Sequence, residues 1–248
     1  MRADGSLTWS LVVPVKVLAI AKSRLATLAG PARPALALAV AADTVRAALA
    51  CRRVRQVIVV TCDMLAAAEL ASLGAAVIGD EPDAGLNPAL IHGAATAATR
   101  APQSGVGALS ADLPALTPAE LDRALGWAAR WPEAIVPDAA GTGTTLYTTR
   151  PGVPFRPKFG PGSRHRHVAA GASEISPDDL PGLRRDVDTA ADLREAADLG
   201  LGPATAALAG RLLRDVGHRA RPSVRSGQQA GTPTRPTRLG RPRRSHHR

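Results

Sequence analysis

Three lysines stand among 28 arginines in this chain of 248 residues, and each lies in a segment punctuated by Gly, Pro or Ser. Lys16 and Lys22 fall in Val13-Pro-Val-Lys-Val-Leu-Ala-Ile-Ala-Lys-Ser-Arg-Leu25, and Lys158 falls in Arg156-Pro-Lys-Phe-Gly-Pro-Gly-Ser-Arg-His-Arg166. A compact ammonium is a point charge, where arginine offers a planar fork, so lysines retained in an arginine-rich chain point to phosphate. The segment from Pro14 to Arg24 reads as a strand end, a loop carrying Lys16, Lys22 and Arg24, and a helix start. That order suits the polyphosphate of a nucleotide, with Lys22 and Arg24 neutralising charge on the leaving group. Taken alone it reads equally well as a basic surface loop. It is neither a Gly-x-x-x-x-Gly-Lys-Ser/Thr phosphate loop nor a Gly-x-Gly-x-x-Gly dinucleotide fingerprint.

Four further segments follow strands or turns. Asp112, in Ser110-Ala-Asp-Leu-Pro114, is a carboxylate directly after an apolar run, a common place for a magnesium ligand and an equally ordinary turn. In Arg185-Asp-Val-Asp-Thr189, Asp186 and Asp188 alternate with Val187, so both carboxylates share one side of extended chain. Asp188 with Asp112 would complete a two-carboxylate Mg²⁺ site, whereas Asp188 or Thr189 alone is a helix N-cap. Gly141-Thr-Gly-Thr-Thr145 and Phe159-Gly-Pro-Gly-Ser163 combine glycines, hydroxyls and a helix start. With Lys158, Arg164 and Arg166 nearby, they suit a small polyanion. Asn87, in Asp83-Ala-Gly-Leu-Asn87, is either a helix cap or a nucleotide contact. His165 and His167 are two apart in a helical pattern and cannot face one metal, and no Gly-x-Ser-x-Gly or Cys/His nucleophile pair occurs.

These segments need a frame, and the first two hundred residues supply an α/β one. Apolar β-branched runs at Ser10 to Lys16, Val54 to Thr61, Ala75 to Gly79, Val106 to Ser110 and Ala134 to Pro137 alternate with helical patterns. The helices are expected at Pro34 to Ala50, Met64 to Leu73, Asn87 to Arg100 and Thr117 to Arg130, with Thr117 as N-cap. Such alternation predicts a mainly parallel, twisted sheet with helices on both faces. The stretch Asp138 to Gly162, with one strand at Thr144 to Thr149, reads as a hairpin laid over the sheet edge. Helices are then expected at Ser163 to Ala170, Ala190 to Leu199 and Ala204 to Arg214.

Composition limits the function classes. Apolar residues make up 45% of the chain, enough for a sizeable core, while aromatics at 2% argue against base-stacking platforms. Cys51 and Cys62 have neither disulfide nor zinc spacing, which predicts a reducing, cytoplasmic setting. The amino terminus lacks a signal pattern, and the apolar stretches read as too short for a bilayer span. The net charge of +10 is concentrated at one end: Gly217 to Arg248 holds nine arginines and no acid. We expect one domain at 8–214 and a disordered arginine-rich tail at 217–248, which touches nucleic acid weakly at most.

Together these segments resemble the guanylyltransferases of deazaflavin coenzyme F-420 biosynthesis, which act on phosphoenolpyruvate or 2-phospho-L-lactate. The resemblance rests on Val13-Pro-Val-Lys with Lys22-Ser-Arg-Leu, Gly85-Leu-Asn, Asp112-Leu-Pro-Ala-Leu, Gly141-Thr-Gly-Thr-Thr, Phe159-Gly-Pro with Ser163, and Asp186-Val-Asp-Thr-Ala-Ala-Asp-Leu. It implies a three-layer, Rossmann-like nucleotidyltransferase fold with a mixed, mainly parallel sheet, using GTP and Mg²⁺. Carried onto this chain, Pro14, Lys16, Lys22 and Asn87 would meet the nucleotide. Thr145, Gly160, Ser163 and Lys158 would meet the phosphorylated acid, and Asp112 and Asp188 the metal. Where the family usually has an acidic residue before Ser163, this chain has Gly162. A homodimer is compatible with this reading, and the alternatives are another small-acid nucleotidyltransferase, a molybdopterin cytidylyltransferase or nucleic-acid binding through the tail.

Overall fold

The computed structural model describes residues 6–80, 83–175 and 179–219. Chain order is β1 (Trp9–Pro14), α1 (Ala26–Ala29), α2 (Arg33–Ala50), β2 (Val54–Val60), α3 (Met64–Ser72), β3 (Ala76–Ile78), α4 (Leu86–Arg100), β4 (Gly105–Leu109) and α5 (Pro118–Ala128). There follow β5 (Glu133–Pro137), β6 (Thr144–Thr149), α6 (Ser163–Ala169), β7 (Ser173–Glu174), α7 (Pro181–Arg184), α8 (Ala190–Leu199) and α9 (Pro203–Arg219). The strands form one sheet in the order β3-β2-β1-β4-β6-β5-β7. Every pairing is parallel except those of β6 with β4 and with β5.

Strands buried on both faces are apolar where they cross the core, and β1 and β2 are so at Leu11, Val12, Val13, Val57, Ile58, Val59 and Val60, which are at most 1% exposed. Leu11, Val13, Val57 and Val59 pack with Val45 and Ala48 of α2, Ala66 and Leu70 of α3, and Leu121 and Leu125 of α5. The opposite face, with Val12, Val60 and Ala108, receives Ala89 and Leu90 of α4. Gly93 lets α4 approach this closely, since a Cβ there would lie 2.4 Å from Val12 Cγ1. A third cluster joins Leu36 and Val40 of α2 to Val187, Leu193, Ala196 and Ala209, which seats α8 and α9 at the end of the sheet. Each such fully buried leucine contributes about 1.5–3 kcal/mol.

Several expectations change here. β6 is no edge hairpin: all six of its residues are buried and it lies between β4 and β5, pairing Gly107 with Thr148 and Ile135 with Tyr147. Its threonines read as polar in sequence. In the sheet, however, the Thr145 and Thr148 hydroxyls donate to the Val136 and Ala134 carbonyls at 3.4 and 3.2 Å, so a β-branched polar strand is buried with its hydroxyls satisfied. β7 was not foreseen, and two residues are too few to carry a period. The helical run Ser23–Ala50 is long and apolar enough to cross a bilayer by length and composition. Gly30 and Pro31 interrupt it, and α2 is instead packed against the sheet. Of the arginine-rich tail expected from 217, the first three positions belong to α9 and the remainder lies outside the described residues.

Candidate active site

A cavity of about 260 Å³ opens where β1 and β4 lie side by side, beyond their carboxyl ends. The crossover from β1 packs on one face of the sheet and α4, which leads into β4, on the other, so the crevice is a topological switch point. Pro14, Lys16 and Lys22 line it from the β1 side, Ser110 and Asp112 from the β4 side, with Asp188, Leu86 and Phe159 completing the wall.

Backbone hydrogen bonds place each acidic group. Thr44 of α2 brackets Asp112: its hydroxyl shares its proton between the Val40 carbonyl at 3.0 Å and the Ala111 carbonyl at 3.2 Å, and accepts from the Leu113 N–H at 3.0 Å. The Asp112 carbonyl accepts the Val187 N–H at 3.0 Å, which lays the Asp186–Asp188 segment alongside. Asp188 ends that segment, and its N–H donates to Asp192 Oδ2 at 3.1 Å. Asp192 and Thr189 form the reciprocal cap of α8. Thr189, one of the two caps expected, is therefore the cap, and Asp188 keeps its carboxylate for the cleft.

The basic loop is tied down equally closely. The Val15 N–H donates to the Val60 carbonyl at 2.9 Å, the Leu18 N–H donates to Asp63 Oδ2 at 2.9 Å, and the Arg33 guanidinium binds the carbonyls of Ala19 and Ala21. Lys22 follows with φ 54°, in the left-handed region that L residues rarely adopt. Its Nζ donates to Asp112 Oδ2 at 2.6 Å and to Asp188 Oδ1 at 2.8 Å, and the side chain is only 13% exposed. The sequence placed Lys22 against phosphate and the two aspartates against metal. Here all three converge on one point.

The electrostatics follow from that geometry. Burial works against the Lys22 ammonium, but Asp112 and Asp188 outweigh it and raise its pKa above the ordinary lysine value. Burial likewise opposes the Asp188 carboxylate. Lys22, with Arg24 and Lys16 behind it, more than offsets this and holds Asp188 below the usual range. Asp186 has no such cation: burial, then the carboxylates of Asp112, Asp138 and Asp188, push it up to about 6.

Among the described residues no group of three or more His, Cys, Asp or Glu side chains is gathered as for a metal ion. The donor set is therefore Asp112 and Asp188, both oxygen ligands, already meeting at one cation in the form of the Lys22 ammonium. An all-oxygen pair with room for phosphate and water is the kind of site Mg²⁺ takes, so these residues fit that ion.

Of the segments expected to hold the phosphorylated acid, Phe159 is the residue that lines this cavity. The Thr145 carbonyl accepts the Ser110 N–H at 2.8 Å, which puts Thr145 two residues from Asp112 along the strand end, although its hydroxyl faces Val136. Ser163 opens α6 and is 2% exposed, with its N–H donating to the Gly160 carbonyl at 3.0 Å. Gly160 has φ 119° and forms the exposed tip of the Lys158 loop. Thr145, Gly160, Ser163 and Lys158 do not line the cavity that holds Lys22.

Three groups in this half have partners inside the protein. The N–H groups of Thr142 and Gly143 donate to the Asp138 carboxylate at 2.9 and 2.8 Å, so the Gly141–Thr145 turn already holds an anion of its own. Arg164 is bound by both oxygens of Glu174 at 2.7 and 2.8 Å and by the Gly141 carbonyl at 2.9 Å, which removes it from the set of available cations. Asn87 neither caps α4, whose N-cap is Gly85, nor presents its amide to the cavity. Its Nδ2 donates to the Phe159 carbonyl at 3.1 Å and its Oδ1 accepts the Phe159 N–H at 2.8 Å, clamping the loop.

His167, set aside in sequence because it and His165 cannot face one metal, is the other clamp. The Lys158 N–H donates to its Nε2 at 2.8 Å, which leaves Nδ1 to donate to the Thr144 hydroxyl at 3.1 Å. Tyr147 stacks on the ring at 4.8 Å and Phe159 meets it edge-on at 5.3 Å. Burial, opposed by the Ser163 backbone and reinforced by Arg166 and Lys158, lowers its pKa to about 4, so the imidazole is neutral. Thr44, Arg33 and Asp138 were missed as well. Only Asp138 had a local signal, an aspartate four and five residues before Thr142 and Gly143.

With this geometry in hand, the chain compares as follows. Residues 9–224 match the family model described as guanylyl transferase CofC like. The phosphoenolpyruvate guanylyltransferase of Thermomonospora curvata is 66% identical over 209 residues, covering 84% of this chain and 92% of its own. That of Streptomyces coelicolor is 58% identical over 208 residues, covering 84% and 98%. Among solved structures, a Desulfovibrio desulfuricans protein assigned to the nucleotide-diphospho-sugar transferases superposes with a TM-score of 0.62 at 15% identity, covering 86% of this chain and 96% of that one. The 4-diphosphocytidyl-2C-methyl-D-erythritol synthase of Anaerococcus prevotii gives 0.52 at 9% identity, covering 77% and 95%. At those identities the structural likeness establishes the nucleotidyltransferase fold.

Proposed function

The chain belongs to the CofC-like guanylyl transferases, and from that premise we propose that it joins phosphoenolpyruvate to the GMP moiety of GTP and releases pyrophosphate. The product is enolpyruvoyl-2-diphospho-5'-guanosine, made in the cytoplasm for coenzyme F-420. The observation that carries the reading is the meeting of Lys22 with Asp112 and Asp188 at 2.6 and 2.8 Å in the β1/β4 crevice. Lys16 and Arg24 stand close enough to act on the same carboxylate. The name of the relatives supports phosphoenolpyruvate over 2-phospho-L-lactate.

In this reaction an acceptor phosphate oxygen forms a bond to the α-phosphorus of GTP, and the bond from that phosphorus to the bridging oxygen of the β-phosphate breaks. The acceptor is already an anion, so no protein base has to remove a proton. Positioning and charge neutralisation are then the work left to the protein. Asp112 and Asp188 would hold Mg²⁺, which when bound supplies positive charge to the phosphate oxygens. Lys22, Arg24 and Lys16 supply fixed positive charge toward the departing pyrophosphate, and the Pro14 to Lys22 loop receives the triphosphate. Asn87 and His167 hold the Lys158–Gly160 loop, which meets the cleft through Phe159, and Lys158, Gly160, Ser163 and Thr145 would take the phosphorylated acid beside the Lys22 cavity rather than in it.

The test is incubation with GTP, Mg²⁺ and either phosphoenolpyruvate or 2-phospho-L-lactate, following pyrophosphate. Release dependent on phosphoenolpyruvate is the expected result. Folded protein that releases none with either acid overturns the reading, and release only with 2-phospho-L-lactate overturns the choice of acceptor.

A further inference from the structure

Among the described residues, Lys22 is the cation that touches both carboxylates of the proposed metal site. We propose that in the nucleotide-free protein the Lys22 ammonium occupies the place of the divalent metal, so that metal enters tightly only together with a triphosphate that draws Lys22 away. The inference rests on Asp112 and Asp188 being the metal carboxylates.

Three features carry it. The contacts of 2.6 and 2.8 Å are charge-assisted hydrogen bonds at full strength, not a loose ion pair. The backbone that carries the carboxylates does not depend on Lys22: Thr44 brackets Asp112, the Asp112 carbonyl holds Val187, and Asp192 anchors the Asp188 N–H. Both residues therefore stay on the same side of the cleft when the ammonium leaves. Lys22 hangs from a loop fixed at Val15, Leu18, Ala19 and Ala21, so its four-carbon stem can swing while the backbone stays.

The charge count makes the exchange conditional. A divalent cation arriving alone must displace the ammonium from two short bonds, and the buried stem gives it no other carboxylate to turn to among its recorded partners. A triphosphate changes this, because the displaced ammonium finds phosphate oxygens at the same cleft. Metal and nucleotide then favour each other's binding by one common factor, as linkage requires. The apparent affinity for metal alone is reduced by the fraction of molecules in which the site is open.

Binding of Mn²⁺ to the whole chain, followed by electron paramagnetic resonance, reads this without catalysis. Wild type should bind Mn²⁺ weakly alone and more tightly with a non-hydrolysable GTP analogue. Lys22→Met should bind Mn²⁺ alone at least about tenfold tighter than wild type, as expected when the open fraction rises from about a tenth to unity. Its gain from the nucleotide should shrink. Lys22→Gln serves if the methionine variant fails to fold, which circular dichroism decides. Folded variants that bind Mn²⁺ alone no tighter than wild type overturn the inference while leaving the metal site standing. If wild type with nucleotide binds Mn²⁺ no better than Asp112→Asn does, the metal assignment falls and the inference falls with it.

Discussion

Around Lys22, opposite charges face each other across a cavity from three separated parts of the chain. Around His167, by contrast, Asp138, Arg164, Glu174 and the imidazole itself each meet a partner inside the protein. The first region is held by backbone contacts that leave Lys22, Asp112 and Asp188 to one another. In the second, Asp138 takes the Thr142 and Gly143 N–H groups, Glu174 takes Arg164, and His167 takes the Lys158 N–H. The difference separates two jobs. A group that must release one ion and accept another stays in a three-way contact, whereas a loop that must keep its shape has its polar groups satisfied by the protein itself.

The comparison is broken most directly at the carboxylates. Asp112→Asn or Asp188→Asn should lower kcat for pyrophosphate release by at least about 100-fold, because each removes a proposed metal ligand and leaves Lys22 with half its partners. Thermal stability should change little by comparison. Near wild-type turnover in both variants would move the chemistry away from this end of the cleft. Asn87→Ala tests the other end. It leaves the Phe159 N–H without its side-chain acceptor, a loss of about 1–3 kcal/mol in the loop. We expect KM for phosphoenolpyruvate to rise about tenfold, with kcat held within about threefold. A fall confined to kcat would mean that Asn87 serves the chemical step.

How much of this could be read beforehand depends on sequence distance. The strands β1, β2 and β4 are apolar runs in a parallel sheet, and the caps of α5 and α8 are boxes spanning four residues, Thr117 to Glu120 and Thr189 to Asp192. Such features are local and were legible. Asp112 and Asp188 were each recognisable as acids after extended segments, but their meeting depends on Thr44 and on the Val187 to Asp112 hydrogen bond, which no local pattern encodes. β6 was misread because its threonines look like solvent-facing polarity until the sheet supplies carbonyls for them. The glycine turn at 141–145 was read as awaiting an external anion, when the acceptor, Asp138, sits just before it.

A smaller effect separates the regions by pH. His167 has a folded pKa of about 4 against an ordinary 6.5, so the fold favours the neutral ring and the unfolded chain takes up the proton first. Its contribution to stability is complete above about 6.5 and drains as pH falls toward 4. Between about pH 7 and pH 5 the His167 share should lower Tm by roughly 5 °C. It is offset in part by Asp186, whose carboxyl, raised to about 6, takes up a proton in the folded chain over the same window. His167→Gln removes the first effect and leaves the second. A variant with the wild-type slope would assign the acid sensitivity elsewhere.

The smallest change expected is at Glu174, and it bears on whether the second region is frame or binding site. Glu174 binds Arg164 through both oxygens, yet the Arg164 side chain is 41% exposed, so screening by water leaves the pair a weak contributor to stability. If Arg164 were waiting for the substrate, Glu174→Gln would release it and KM for phosphoenolpyruvate would fall. Arg164 is also held by the Gly141 carbonyl at 2.9 Å, on a turn that Asp138 fixes, and that hold survives the substitution. The expected outcome is therefore a KM within about twofold of wild type. A clear drop in KM would show that Glu174 competes with the acid for Arg164, and would make this region, like the first, a place where one anion is exchanged for another.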